Sequence, residues 1–333
     1  MHIARAYCVE ADRIVDIYQA RALFFAQDQP RRRFEFLCSD GICRAVNATR
    51  VTGVNYDKLV ERGDHIVQKP HFRANPHCSH IGECEWVVRE RELQTPPSDR
   101  ELQHGRGSQQ RFRGLKSSDV VDVFMPTHSS WVDTELTDDA DPIPRTPGND
   151  TDAALSRRRA ASWSGVTRAD FLGPVVSTYE LLEADERDEA SLRIGGGRML
   201  SYRRAFCRVE HYFDVSAPRI FHGEVRVRVH GPNFAVRFFD GVGAAVDHHG
   251  GDVTLYFKRE RLLDHWNGKF LVAQLTEAAK PGYYAHCYLF GRIASHPTKE
   301  NRMIVEVESL DHLVFTVRTR IHGAATSPLR PAK

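Results

Sequence analysis

The chain lacks the segments that would place it in a membrane or export it. No apolar run approaches the roughly 20 residues of a membrane-spanning helix. The first residues do not show a charged region followed by a long apolar one, which is the pattern of a signal peptide. The sequence therefore predicts a cytoplasmic protein with no membrane partner.

The chain also lacks an excess of charge of either sign. Its 46 Lys and Arg residues face 44 Asp and Glu residues, for a net charge of +2. Net charge alone does not indicate nucleic acid, so an electrostatic argument must come from local clustering. Motifs of the GxSxG, HExxH and Walker types are absent, and no internal repeat is evident. With 333 residues, the chain is long enough for two domains.

The sequence does contain a dense cluster of potential metal ligands between Cys38 and Cys84. This stretch holds four of the seven cysteines and four of the 17 histidines. An odd number of cysteines crowded with histidines favours reduced, metal-binding thiols over a disulfide framework. Thiolate sulfur and imidazole nitrogen are the usual zinc ligands, and a structural zinc site takes four of them. The sequence therefore predicts Zn²⁺, favoured over iron because histidine shares the shell.

The spacing of the ligands predicts a zinc-ribbon-like layout with two halves. Cys38 and Cys43 flank a glycine-containing turn, and a second ligand-rich stretch begins at His71. By spacing alone, His80 and Cys84 fit the second half-site. Four protein ligands leave no coordination position for water, so the predicted site is structural and its metal affinity contributes to folding.

A family resemblance covers about residues 1–90. The string Phe36-Leu37-Cys38, followed by Cys43, by Lys69-Pro70-His71-Phe72 and by Cys84, resembles the N-terminal zinc-finger region of the competence protein CoiA family. The resemblance implies Cys38, Cys43, His71 and Cys84 as the ligands. It makes His71 the first choice for the third ligand and leaves His80 as the alternative.

The same resemblance implies a bacterial DNA-uptake, mobile-element or defence system, and it raises an alternative function. CoiA-like proteins are similar to metal-dependent PD-(D/E)xK nucleases downstream of the finger. Asp119, Asp122, Asp133 and Glu135 are the candidate metal-binding acids here. The final lysine of such a site is missing, so we assign no catalytic residue and favour a protein that is not an enzyme.

The pattern of the whole chain predicts an α+β protein in three parts. Residues 1–91 form the zinc-binding module with a helix. Residues 92–165 are rich in Pro, Gln and acidic residues and predict a mobile linker, with a strand-like island at 119–125. Residues 166–330 predict a β-rich domain, either a small barrel or a sandwich, because many short alternating runs follow one another.

Basic and aromatic residues alternate in the β-rich part. Val225–Val229 and Phe234–Phe239 read as two strands of a hairpin, and arginines alternate with apolar residues along them. Arginine pairs with phosphate and aromatic rings stack on bases, so this composition suits single-stranded DNA or RNA. The alternatives are an ordinary sheet with arginine on its outside, and a scaffold that assembles a protein complex. The candidate binding residues are Arg203, Arg204, Arg226, Arg228 and Arg237.

Overall fold

The structure, a computed structural model, describes residues 2–3, 5–61, 69–94, 120–126, 168–197, 199–211, 218–241, 251–295 and 302–319. Most of the predicted linker at 92–165 lies outside the described residues, and the predicted boundaries at 91 and 166 stay predictions. In the described ranges the protein is a mixed α/β structure with three sheets. None of the described helices is long and apolar enough to cross a membrane.

The N-terminal sheet is antiparallel and has the strand order β1-β6-β5-β4-β2-β3. Strands β2 and β3 form a hairpin directly before Ile17. A helix begins at Ile17, and the side chains of Asp16 and Gln19 form a capping box at its N-terminus. Two more helices follow, one of seven residues after β4 and one of ten residues after the loop that follows β6. The elements are β1 (His2–Ile3), β2 (Arg5–Cys8), β3 (Arg13–Asp16), α1 (Ile17–Ala26), β4 (Phe36–Cys38), α2 (Gly41–Asn47), β5 (Arg50–Val54), β6 (His71–Ala74) and α3 (Glu85–Gln94).

The second sheet contains the strand-like island that the sequence predicts. Its strand β7 (Val123–Phe124) pairs in parallel with its two neighbours, and Val120, Val121 and Phe124 are buried. The strand order is β10-β9-β7-β8. The other elements are β8 (Arg168–Ala169), α4 (Leu172–Leu181), α5 (Glu186–Glu189), β9 (Ser191–Ile194), β10 (Met199–Ser201) and α6 (Tyr202–Ala205). The apolar period of residues 171–182 predicts α4 correctly.

The third sheet has seven strands in the order β11-β12-β13-β14-β16-β15-β17, and β12 also pairs with β15. The predicted hairpin is present, since β12 and β13 pair with Val229 opposite Phe234. The elements are β11 (Phe206–Arg208), β12 (Arg219–His230), β13 (Asn233–Phe238), β14 (Asp252–Phe257), α7 (Arg259–Leu263), α8 (Gly268–Ala278), β15 (Tyr283–Ser295), β16 (Arg302–Glu306) and β17 (Leu313–Thr319), with 3-10 turns at Val209–His211 and Leu310–His312.

The two faces of the third sheet have different surroundings. Val225, Val227 and their alternate neighbours face a core that includes Leu271 and Leu275 of α8. On the opposite face, Ile220 and Phe290 are buried in a second core shared with α4. Farther along β12, this second face becomes exposed, because Arg226 and Arg228 are not covered.

Several contacts join the N-terminal module to the third sheet. The rings of Phe25 on α1 and Phe270 on α8 stack with their centroids 5.3 Å apart. The backbone N–H of Glu61 donates to the carbonyl of Val317 on β17 at 2.8 Å, and the Lys69 ammonium lies 2.9 Å from the Glu180 carboxylate on α4. The module is therefore packed against the β-rich part.

Candidate metal centre

Four potential ligand atoms converge between β4, α2 and α3. Cys38 ends β4, Cys43 lies in α2, His80 lies in the loop after β6, and Cys84 directly precedes α3. Their three sulfurs and the His80 ring nitrogen all lie within 4.8 Å of one another. Because the three cysteines are fully buried and His80 is half-buried, this cluster could hold a metal ion away from solvent.

The distances inside the cluster are short. The sulfurs of Cys38 and Cys84 are 3.6 Å apart. The His80 Nδ1 lies 3.3 Å from the Cys84 sulfur and 3.6 Å from the Cys43 sulfur. Nδ1 therefore faces the cysteines, while the buried Nε2 has no hydrogen-bond partner among the described residues.

Asp40 positions both helices that border the cluster. One carboxylate oxygen accepts from the backbone N–H of Cys43 at 2.8 Å and thereby caps α2. The other oxygen accepts from the N–H of Glu85, the first residue of α3, at 3.2 Å. Helix N-termini carry unpaired N–H groups, and aspartate is a preferred partner for them. In the sequence, Asp40 and Gly41 indicate a turn, and an aspartate before a short helix is also a capping signal.

A second group of contacts fixes the backbone around Cys38. The Arg44 guanidinium donates to the carbonyls of Cys38 and Ser39, at 2.9 and 3.2 Å. The fully buried Trp86 donates its indole N–H to the Ser39 hydroxyl at 2.9 Å. The Thr49 hydroxyl lies 3.4 Å from the sulfur of Cys43. Such outer contacts orient ligand atoms before a metal binds.

The electrostatics of the cluster favour a thiolate at one position. The pKa of Cys84 is lowered, because the Cys38 thiol donates a hydrogen bond to it and His80 also contacts it. The pKa of Cys38 is raised, because this hydrogen bond holds its proton and burial adds to the effect. Deprotonated sulfur is the form that binds metal, so one ligand is prepared before the ion arrives.

The structure places the two candidate histidines differently. His80 belongs to the cluster, whereas His71 is not among its four residues. His71 lies in β6, where its Nδ1 is 2.7 Å from the carbonyl oxygen of Lys69. The histidine that the half-site spacing favours, His80, therefore lies beside the three cysteines, and His71, the first choice of the sequence analysis, lies outside the cluster. Between Cys38 and Cys43, the predicted turn is a bend at Ser39 and Asp40, and Cys43 lies in the first turn of α2.

Three of the five candidate binding arginines lie together on the exposed face of the third sheet. Arg226 pairs directly with Arg237 across β12 and β13, and Arg228 lies on the same face. Phe239 approaches Arg226, whose guanidinium lies 5.4 Å from the ring centroid. Tyr256 is 71% exposed on neighbouring β14. We call Arg226, Arg228, Arg237, Phe239 and Tyr256 the basic-aromatic face.

The other two candidate arginines lie elsewhere. Arg203 is in α6 and pairs with Asp188 at 2.8 Å. The carbonyl of Arg204 accepts from Arg219 at the start of β12. Arg219 precedes Arg226 by seven residues, which is about 23 Å along a strand. The structure therefore does not bring Arg203 and Arg204 into the basic-aromatic face.

The alternative nuclease site cannot be assembled from the described residues. Asp119, Asp133 and Glu135 lie outside them, and the carbonyl of Asp122 accepts from the backbone N–H of Arg193 at 2.8 Å. Within the described ranges, Cys38, Cys43, His80 and Cys84 are the one group of three or more such side chains close enough to share a metal. Nuclease activity stays a prediction.

Comparisons of the chain with protein-family models, curated proteins and solved structures find no match. The resemblance to the CoiA family therefore stays a prediction.

Proposed function

We propose that this chain is a zinc-containing protein that binds single-stranded nucleic acid on its third sheet and catalyses no reaction on it. The observation that carries the proposal is the basic-aromatic face, where three arginines share one face of the sheet with two exposed rings. Stacking on aromatic rings and pairing of arginine with phosphate are the two interactions that sequence-tolerant binding requires.

The distances in the metal cluster support zinc. Tetrahedral zinc, with bonds of about 2.3 Å to sulfur and about 2.0 Å to nitrogen, places two sulfurs about 3.8 Å apart and a sulfur about 3.5 Å from a nitrogen. The corresponding distances here are 3.6 Å between Cys38 and Cys84, and 3.3 and 3.6 Å from His80. Three sulfurs with one nitrogen are a common structural zinc set. The ion would connect β4, α2 and α3.

The topology of the third sheet supports the small-barrel alternative. Its pairings run from β12 through β13, β14, β16 and β15 and return to β12. Strands β14 and β16 are parallel, and α8 lies between β14 and β15 in the chain. The OB fold has this arrangement, and OB folds bind oligonucleotides on the face of their second and third strands. The equivalent strands here, β13 and β14, carry Arg237 and Tyr256. Because this comparison is an analogy of fold, the basic-aromatic face carries the functional argument.

Binding to a fluorescently labelled oligothymidylate, followed by anisotropy over a salt series, tests the proposal. We expect salt-dependent binding by the wild type. Arg226→Gln and Arg237→Gln should each weaken binding and reduce the slope of log K against log salt by about 0.7. Arg203→Gln removes the same charge away from the face and is the matched control.

Three outcomes would contradict the proposal. The wild type does not bind, the affinity does not depend on salt, or Arg203→Gln weakens binding as much as Arg226→Gln does. Cleavage of the oligonucleotide in the presence of Mg²⁺ would favour the nuclease alternative. An RNA oligonucleotide of equal length shows which nucleic acid the face prefers.

A further inference from the structure

A row of side chains continues from the basic-aromatic face across the third sheet. Arg237 on β13 pairs with Arg226 on β12. The register of β12 with β15 places Ala285 opposite Val225, so Tyr284 follows as the neighbour of Arg226. Tyr284 in turn pairs with Arg318 on β17. We call Arg237, Arg226, Tyr284 and Arg318 the transverse row.

All four members of the row lie on one face of the sheet. Side chains alternate along a strand, and the alternate residues Val225, Val236, Ala285 and Val317 are buried in the core under α8. The members of the row therefore point to the other face. Arg226 and Arg237 are exposed there, Tyr284 is half-buried, and the Arg318 side chain is 28% exposed.

The charges along the row favour an anionic ligand. Like charges directly opposite each other destabilise a sheet, and Arg226 and Arg237 are such a pair. The Asp252 carboxylate lies 2.5 Å from the Arg237 guanidinium and offsets its charge. At the far end, Arg318 lies 3.7 Å from Glu180, whose carboxylate also binds Lys69 at 2.9 Å.

Glu180 therefore shares one negative charge between two cations, so Arg318 is only partly neutralised. The row then offers Arg237 and Arg226 on one side of the Tyr284 ring and Arg318 on the other. The charges of Arg226 and Arg318 are incompletely neutralised. Glu224 is exposed on the same face and lies beside the row, two residues before Arg226 on β12.

We propose that a bound single strand crosses the sheet along the transverse row, with one base stacked on Tyr284 and one phosphate held by Arg318. This inference rests on the proposed function and extends it to two residues outside the basic-aromatic face. Neighbouring strands lie about 4.8 Å apart, so the three intervals from β13 to β17 give a path of about 14 Å. A path of this length contacts a short part of a single-strand site, which spans about 4 to 16 nucleotides.

Substitutions at the far end of the row test this path. The probe is a labelled oligothymidylate of about 16 nucleotides. Tyr284→Leu keeps an apolar side chain but removes the ring, and we expect it to weaken binding roughly five- to a hundredfold. Tyr284→Phe should bind like the wild type. Arg318→Gln should lower the salt slope by about 0.7, whereas Arg50→Gln in the N-terminal module should not change it.

The outcomes separate this inference from the proposed function. If Tyr284→Leu and Arg318→Gln bind normally while Arg226→Gln binds weakly, the strand follows another path and only the inference fails. If the wild type does not bind at all, the proposed function fails. Thermal unfolding checks that each variant is folded, and Arg318→Gln decides the question should Tyr284→Leu unfold.

Discussion

Replacing one histidine at a time distinguishes the two candidate ligands of the metal cluster. The structure places His80 in the cluster and His71 in β6 outside it. We expect His80→Ala to lose bound zinc and His71→Ala to keep about one ion per chain. His77 is exposed and also lies outside the cluster, so His77→Ala is a matched control.

The expected size of the effect follows from the construction of the site. Loss of an outer contact to a metal ligand lowers metal affinity by about 10- to 100-fold, and loss of the ligand itself should lower the affinity further. A 100-fold change corresponds to about 2.7 kcal/mol. This is a large part of the roughly 5–15 kcal/mol that stabilises a domain. His80→Ala should therefore lower the melting temperature by about 5–10 °C or more.

Elemental analysis of the purified variants gives the zinc content directly. Thermal unfolding with and without a chelator then gives the contribution of the ion to stability. The chelator should lower the melting temperature of the wild type, of His71→Ala and of His77→Ala. It should change the melting temperature of His80→Ala little, because that variant is expected to hold no zinc. Loss of zinc from His71→Ala together with full retention by His80→Ala would refute the assignment, and absence of zinc from the wild type would refute the site.

Three more predictions concern stability. Asp40→Ala should cost about 1–2 kcal/mol and weaken zinc binding in a chelator competition, whereas Asp40→Asn should cost less because asparagine also caps helices. Phe270→Ala should cost about 3–5 kcal/mol in urea unfolding, because its ring stacks on Phe25 in the core of the N-terminal module. Burial lowers the pKa of His222 and of His286 to about 3. Both histidines are therefore neutral in the folded protein, whereas in the unfolded chain they take up protons near pH 6.5. The free energy of unfolding should therefore fall as the pH drops from 6.5 towards 3. At pH 5.5 the two histidines together should lower it by up to about 3 kcal/mol, and the melting temperature of His222→Gln should depend less on pH than that of the wild type.

The sequence predicts three of the four residues of the metal cluster because cysteine clusters carry a chemical signal that does not depend on the fold. The choice between His71 and His80 depends on which side chain reaches Cys43 and Cys84. Spacing from Cys84 favours His80, and the family resemblance favours His71. In the structure, His71 is the first residue of β6 and pairs with Val54 of β5.

The sequence predicts the hairpin of β12 and β13 for a local reason, since alternation and the turn at Gly231 are both short-range signals. The transverse row could not be predicted in this way. It joins Arg226 to Tyr284 and Arg318, and their neighbourhood depends on strand pairings between distant parts of the chain. The residues predicted from composition therefore include Arg203 and Arg204, and they do not include Tyr284 and Arg318 of the proposed row.

Strand β17 contacts the N-terminal module and also carries one member of the transverse row. Val317 faces the core, forms a bridge with Val60 and accepts the backbone N–H of Glu61 from the N-terminal module. The next residue, Arg318, points to the opposite face and ends the transverse row. The N-terminal module therefore contacts the backbone of β17 directly beside Arg318. The proposed zinc ion, by stabilising the N-terminal module, would in this way also support the strand that carries Arg318.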